Sequence, residues 1–515
     1  LERRAVYCRF LIATLACLFG GCHFSASSEH PPGYLVVGIE SNPLQLDPRY
    51  ATDANSVRVG ALIYNSLLRA DTKLRLQPEL AARWQTINDR TYLFELRKDV
   101  KFHNGKPLTA RDVKYTYESI LKPENRSPKR ALLKALETVD QLDNYTLRFR
   151  LSAPHAPFPE QFTIGIVPAG PNELEATGSV TPPGSGPFIL DSIEPGESIT
   201  LKGNPSYWEG KPRLAGIIFK VVPDAMVRVL EFKKGTIDFL QNDLEPDMLP
   251  WIKQNTNAVI GDHEGTTFQY IGINLSHPIL KHREVRQALA LAIDRAGIIR
   301  HLLKDFATPA TGLLSPINWA YTGSVAQWPF DPERAKRLLD QAGYPDPDGA
   351  GPLPRFRLSF KTTNLDLRKR IAEALKEQLA RVGIELEVRT YEWGTFYSDI
   401  TRGNFHLYSL AWVGIMDPDI YYQLFHSESM PPNGENRGHY SNAELDHLLE
   451  QGRSTTNIAE RRAIYARVQQ ILAEELPYIP LWWTKNVTVQ NAAIKGFVPY
   501  PDGDLISLKK VSLQE

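Results

Sequence analysis

Cysteine is almost missing from this 515-residue chain: Cys8, Cys17 and Cys22 are the only three, and none follows position 22. That excludes structural disulfides, thiol catalysis and cysteine-ligated zinc from everything downstream. Charge of one sign is missing too. Lys+Arg and Asp+Glu stand at 59 each, so there is no basic footprint for nucleic acid or anionic membrane. Long apolar runs are absent, since Phe10 to Phe19 spans only about ten residues, too short to cross ~30 Å of hydrocarbon as a helix. The chain contains no G-x-S-x-G elbow, P-loop, G-x-G-x-x-G or H-E-x-x-H. The Gly-Lys of HNGKP (103–107) sits in a hairpin turn and not in a phosphate loop. The twelve histidines lack metal-ligand spacing, so neither a metal site nor a cofactor is expected.

What is present begins with a targeting segment. Arg3, Arg4 and Arg9 precede the apolar run, and small residues lead to Cys22 in LFGGC, the pattern of a secretory leader. LFGGC also resembles a lipobox, which implies lipidation of Cys22, although Phe19 is bulkier than the residue usual there. Residues 1–22 are therefore expected to be a signal peptide, and 23–33 (HFSASSEHPPG), small and polar, a tether.

The stretch Ala81 to Leu121 carries most information. Thr91 to Leu96 reads as a strand, and Val100 and Phe102 start a second extended run. Asn104-Gly105 supplies a tight turn. Thr109, with Asp112 three residues on, opens a helix as a capping box, and Val113, Tyr117, Ile120 and Leu121 form its apolar stripe. Tyr115 lies off that stripe. The pattern W…D…TY.F.LRK.VKFH.GKPLTA.DV.Y resembles the signature of the family 5 extracellular solute-binding proteins, receptor subunits of ABC-type peptide, nickel and oligosaccharide importers.

The resemblance implies an α/β, two-lobed periplasmic-binding-protein fold, mixed sheets flanked by helices, with an extra small domain. It places 34–52, 184–265 and 483–515 in lobe I, 53–183 in the small lobe and 266–482 in lobe II. Crossovers near 265 and 482 would form a hinge. Further along, HREVRQALALAIDRAGIIRHLL reads as one helix and FDPERAKRLLDQAGY as a proline-initiated helix stopped by Gly343. The alternating runs 356–360 and 384–388 flank an amphipathic helix, a βαβ unit implying parallel strands. Arg368, Lys369, Arg370 and Lys376 on that helix read as a solvated face. Asp47, before Pro48, reads as an Asx-turn acid.

Tyr391, Trp393, Trp412, Tyr421 and Tyr422 fall in a Gly- and Pro-interrupted region, where loop aromatics would suit either ligand enclosure or core packing. By resemblance, Trp412, Trp393 and Tyr115 line the ligand cleft. Peptide-binding members place an Asp three residues after the cleft tryptophan to pair the peptide ammonium. Here that place is Ile415, and Asp417 is the candidate replacement, with a DPD turn as its other explanation. The resemblance implies a monomeric receptor, not an enzyme. It would be periplasmic or at the cell surface, anchored through Cys22, and would bind a peptide or small solute for a membrane permease. An oligosaccharide, opine or chelated metal remains open as the ligand, and a non-transport sensor as the role.

Overall fold

The computed structural model describes residues 31–170, 181–242, 244–349 and 351–514. The leader, Cys22 and most of the tether lie outside the described residues. Strand β1 (Tyr34–Ile39) is β-branched and buried along nearly its whole length, because it pairs in parallel on both sides, with Gly216–Val221 and with Phe239–Gln241. A strand covered on both faces needs such a continuous apolar run. Helix α1 (Ala54–Ile63) follows, with Asp53 accepting from Ser56 N at its cap.

The signature stretch folds largely as its residues dictate. Ala81–Asn88 and Thr91–Leu96 form a hairpin within a four-stranded antiparallel sheet completed by Leu136–Gln141 and Thr146–Leu151. Gly105 turns the chain at φ +82°, and Asp112 Oδ2 accepts from Thr109 N at 2.8 Å at the start of α2 (Ala110–Leu121). Val113, Tyr117 and Ile120 are buried in the core between helix and sheet. The second extended run is reduced to one bridge, Lys101 to Pro107. Val100 and Phe102 are buried anchors of the turn and not members of a ladder.

A large sheet unites most of the remaining strands. Its central members are β2 (Val259–Ile273), β3 (Leu407–Trp412) and β4 (Tyr478–Gln490), with α3 (Asp366–Ala380) packed nearby between the parallel strands Phe356–Thr363 and Ile384–Tyr391. β2 and β4 run antiparallel over most of their lengths. The C-terminal half of β4 also pairs with Phe239–Gln241 on the β1 side, while the C-terminal half of β2 pairs with β3 on the other. The register between β2 and β4 shifts between His263 and Thr267. Within that shift a Cβ on Gly265 would lie 2.3 Å from the Thr484 carbonyl oxygen, so glycine is required for the two backbones to pass.

Two expectations change. The segment 282–303 is two helices, Arg283–Ala292 and Arg295–Leu302. The break comes at Asp294, whose carboxylate accepts from Gly297 N at 2.8 Å and whose own N–H donates to Gln378 Oε1. An aspartate able to cap stops one helix and starts the next despite continuous apolar spacing. Around 393–425 the aromatics sit on regular elements and not on loops: Trp393–Thr401 and Ile420–Phe425 are helices and Trp412 ends β3.

Gly265→Ala should destabilise the fold by about 1–3 kcal/mol through the enforced clash. A lowered thermal midpoint with native-like far-UV circular dichroism is the expected result, and an unchanged midpoint would show that the crossing can spread.

Candidate functional site

Strand alternation builds a cavity at this crossing. Phe268 and Tyr270 of β2 point into an aromatic core, so Thr267 and Gln269 point the other way and floor a cavity of about 400 Å³ together with Trp482 and Thr484 of β4. One wall carries Glu40, just past β1, Arg58 of α1 and Asn242. The opposite wall carries Leu367 and Arg368 at the start of α3, and Ala411 and Val413 at the end of β3. Leu249 and Phe306 add apolar surface.

Arg368 is the residue that sequence reasoning assigned elsewhere. It is half-buried and lines the cavity, and is not part of a solvated face. Its neighbours do behave as surface charges: Lys369 pairs with Asp366 and Lys376 with Glu373, each at 3.3 Å, and Arg370 pairs with Glu245 and Asp247. Arg368 instead donates from Nη1 to Gln269 Oε1 at 2.6 Å. Gln269 is buried, and its Nε2 donates to Ser409 Oγ at 2.7 Å and Leu410 O at 2.9 Å. A backbone carbonyl can only accept, so the amide orientation is determined and Oε1 must face Arg368. Burial pulls the Arg368 guanidinium below its ordinary value, with the charge of Glu245 opposing that. No carboxylate among the described residues ion-pairs with it. Its position in the first turn of α3, beside Leu367, was the only available sequence signal.

The residues singled out from the sequence are not brought together on this wall. Trp412 lies between Ala411 and Val413 and so projects to the opposite face of β3, where its ring is parallel to Tyr270, centroids 6.4 Å apart. Its Nε1 is buried with no hydrogen-bond partner. The Arg437 guanidinium lies 5.4 Å from the Trp412 ring and 5.2 Å from that of Tyr397, and Tyr397 stacks on Trp393 at 5.5 Å. Trp393 itself is 53% exposed. Tyr115 is half-buried, with the Arg49 guanidinium 5.8 Å from its ring centroid. Tyr421 is packed in the core, and Tyr422 stacks on His426 and carries Arg453 at 3.7 Å. Asp47 forms the expected turn, accepting from Arg49 N at 2.9 Å, and also pairs with the Arg49 side chain.

Asp417, the candidate amine-binding acid, is held in an ion pair with Arg461. Its two oxygens accept from Arg461 Nη1 and Nη2 at 2.6 and 2.5 Å, and the side chains are 10% and 3% exposed. Asp419, alongside, accepts from Arg453 at 2.9 and 3.1 Å. Burial raises the Asp419 carboxyl against the pull of Arg453. The bidentate buried pair commits both oxygens of Asp417 to Arg461, with Asp419 N also donating to Oδ1 at 2.8 Å, and Ile415 is 4% exposed in the aromatic core. Among the described residues no three His, Cys, Asp or Glu side chains converge on a common point.

A loop buttresses the cavity floor from behind. Asn486 of β4 donates to the carbonyls of Tyr500 and Pro501, and Thr266 N donates to Pro501 O. In that loop burial, with Asp502 beside it, pushes the Asp504 carboxyl up to about 7.

Two outcomes follow from these groups. Asp417→Asn should cost about 3–5 kcal/mol of stability by stranding the Arg461 charge, read as a fall in thermal midpoint, whereas a ligand anchor would lose affinity without that fall. For Asp504 the folded state retains a proton that the unfolded chain releases above about pH 4, so stability drops as pH rises from about 4 towards 7. Asp504→Asn should raise the thermal midpoint at pH 8 and leave it unchanged at pH 4.

Comparison with known proteins agrees with this architecture. The family described as bacterial extracellular solute-binding proteins, family 5 Middle, matches residues 75–431. The oligopeptide-binding protein AppA of Bacillus subtilis is 29% identical over 94% of this chain and 92% of its own length. The glutathione-binding protein GsiB of Escherichia coli (strain K12) is 28% identical over 97% and 98%. The solved structure of AppA in complex with a nonapeptide superposes with a TM-score of 0.78 at 28% identity, covering 93% of this chain and 99% of that one. NikZ from Campylobacter jejuni, in complex with Ni(L-His), does so at 0.79 and 26%, covering 94% and 100%. With more than half its length inside the family match and a two-lobed mixed α/β fold to go with it, the chain belongs to family 5 of the bacterial extracellular solute-binding proteins.

Proposed function

We propose that this chain is the extracytoplasmic receptor of an ABC-type importer, capturing a short peptide or related small solute and presenting it to a membrane permease. The observation that carries this is the cavity of about 400 Å³ at the crossing of β2 and β4. Its size falls within the roughly 300–1,000 Å³ of small-molecule sites. Its walls come from the β1 side and the β3 side of the large sheet, and two strands connect them. A solute touching both walls favours the closed arrangement by the contacts it makes only there. The division into 34–52, 184–265 and 483–515, 53–183, and 266–482 supplies the moving bodies, with the register shift at 263–267 as the flexing point. The closed form docks on the permease, and lipidation at Cys22 keeps the receptor at the membrane.

A second ligand class is favoured by one specific observation. With Ile415 buried and Asp417 committed to Arg461, the acid that pairs a peptide ammonium is not at its expected place, which suits a solute without that group, such as an opine, an oligosaccharide or a metal chelate.

Protein purified under gentle conditions and then denatured should release one small solute in near-stoichiometric amount, identified by mass spectrometry. Prolonged incubation of the native protein with that solute should return it chemically unchanged, as for a receptor and unlike a hydrolase. Recovery of a cleaved product would sink the receptor assignment.

A further inference from the structure

Among the described residues the cavity walls are not electrically balanced. There Arg58, Arg368 and Lys485 face the cavity against one carboxylate, Glu40. Lys485 is neutralised by Asp262 at 2.7 Å. Glu40 accepts from Asn55 Nδ2 at 3.0 Å. Arg370, two residues from Arg368, takes the nearby acids Glu245 and Asp247, and this leaves Arg368 with a hydrogen bond to a neutral amide. On the facing wall, the charge of Arg58 acts on Asp502, whose carboxyl burial has raised.

A guanidinium held at the edge of a cavity without a paired anion is a costly arrangement, because the hydrogen bond to Gln269 and the charge of Glu245 offset its desolvation only in part. Gln269 fixes one of its five N–H groups and thereby its plane. The remaining donors keep the fork geometry that matches a carboxylate in bidentate fashion. We infer that the cavity takes its solute by a carboxylate group, set against Arg368 with Arg58 contributing from the opposite wall, and does not require a free amine. Gln269, itself oriented by Ser409 and Leu410, is the positioning residue for that contact.

Both halves of this inference rest on the receptor assignment above, and each has its own structural ground. The demand for an anion comes from the uncompensated guanidinium. Indifference to an amine comes from Ile415, packed among aromatic side chains, and from Asp417, occupied by Arg461. The apolar parts of the wall, Leu249, Phe306, Leu367 and Val413, would cover the body of the solute. Because Arg58 and Arg368 approach from opposite walls, an anion touching both contributes to closure as well as to affinity.

The probe is a pool of tripeptides randomised at all three positions, offered in excess in three end states: both ends free, N-acetylated, and C-amidated. Retention on the folded wild-type protein is read by mass spectrometry and affinity by calorimetry. Free and N-acetylated pools should be retained alike, and amidation should weaken binding about 10- to 100-fold, the scale of a lost charge-assisted hydrogen bond. Arg368→Met should bring the free-acid pool down to the amidated level without affecting the amidated pool, and Arg368→Lys should fall between. The wild-type end-group comparison stands even if a variant folds poorly. Equal retention of acid and amide, or loss of binding on N-acetylation, would overturn the inference and leave a receptor of another specificity. Retention of no pool by folded protein would remove the peptide-receptor assignment, and the inference with it.

Discussion

The antiparallel pairing of β2 (Val259–Ile273) with β4 (Tyr478–Gln490) is the constraint on which the rest of the molecule depends. These strands come from segments about 220 residues apart, and their ladder carries the sheet from the β1 side to the β3 side. Side chains alternate along β2, and a bulge opposite Gln269 and Tyr270 switches faces along β4, so Phe268, Tyr270 and Tyr478 enter an aromatic core while Thr267, Gln269, Trp482 and Thr484 face the cavity. Gly265 relieves the crossing where the Thr484 carbonyl comes too close for any side chain. Core, cavity floor and the register shift between the halves are therefore consequences of one strand pair.

Buried charge is handled in two different ways on either side of that pair. Behind β3, Asp417 and Asp419 are matched by Arg461 and Arg453, so that desolvation is offset by bidentate contacts. Such pairs add little net stability but are expensive to break. In the cavity, Arg368 has only a neutral partner. The first arrangement is closed, each carboxylate already holding a cation. The second is open. That contrast is the ground for proposing recognition on the Gln269 face of the sheet and an architectural role for the DPD segment.

Much of the fold was legible because its signals are local. The capping box at Thr109 and Asp112, the turn at Gly105, the parallel strands flanking α3 and the proline-initiated helix Pro332–Gln341 follow from spacing and backbone preference. The failures are also instructive. Asp294 divides a helix because its carboxylate competes for backbone N–H groups and Gln378, 84 residues away, takes up its own N–H. The candidate site was much less legible. Trp412 was singled out by resemblance as a cleft residue in a loop region, yet it ends β3, where strand parity aims it at Tyr270 and Ala411 and Val413 border the cavity instead.

By itself the sequence determined the class of molecule. Near-absence of cysteine, balanced charge and missing catalytic motifs excluded classes, the resemblance carried by the stretch from Ala81 to Leu121 pointed to the family, and local elements were readable because periodicity, capping and turn chemistry act over a few residues. Only the tertiary structure decided which polar groups are spent and which are free. Nothing near Asp417 announces Arg461, 44 residues on, and nothing near Arg368 announces Gln269, 99 residues back. Whether a charge is satisfied depends on partners that meet only when the sheet closes, and a chain read in one dimension carries no distance between them.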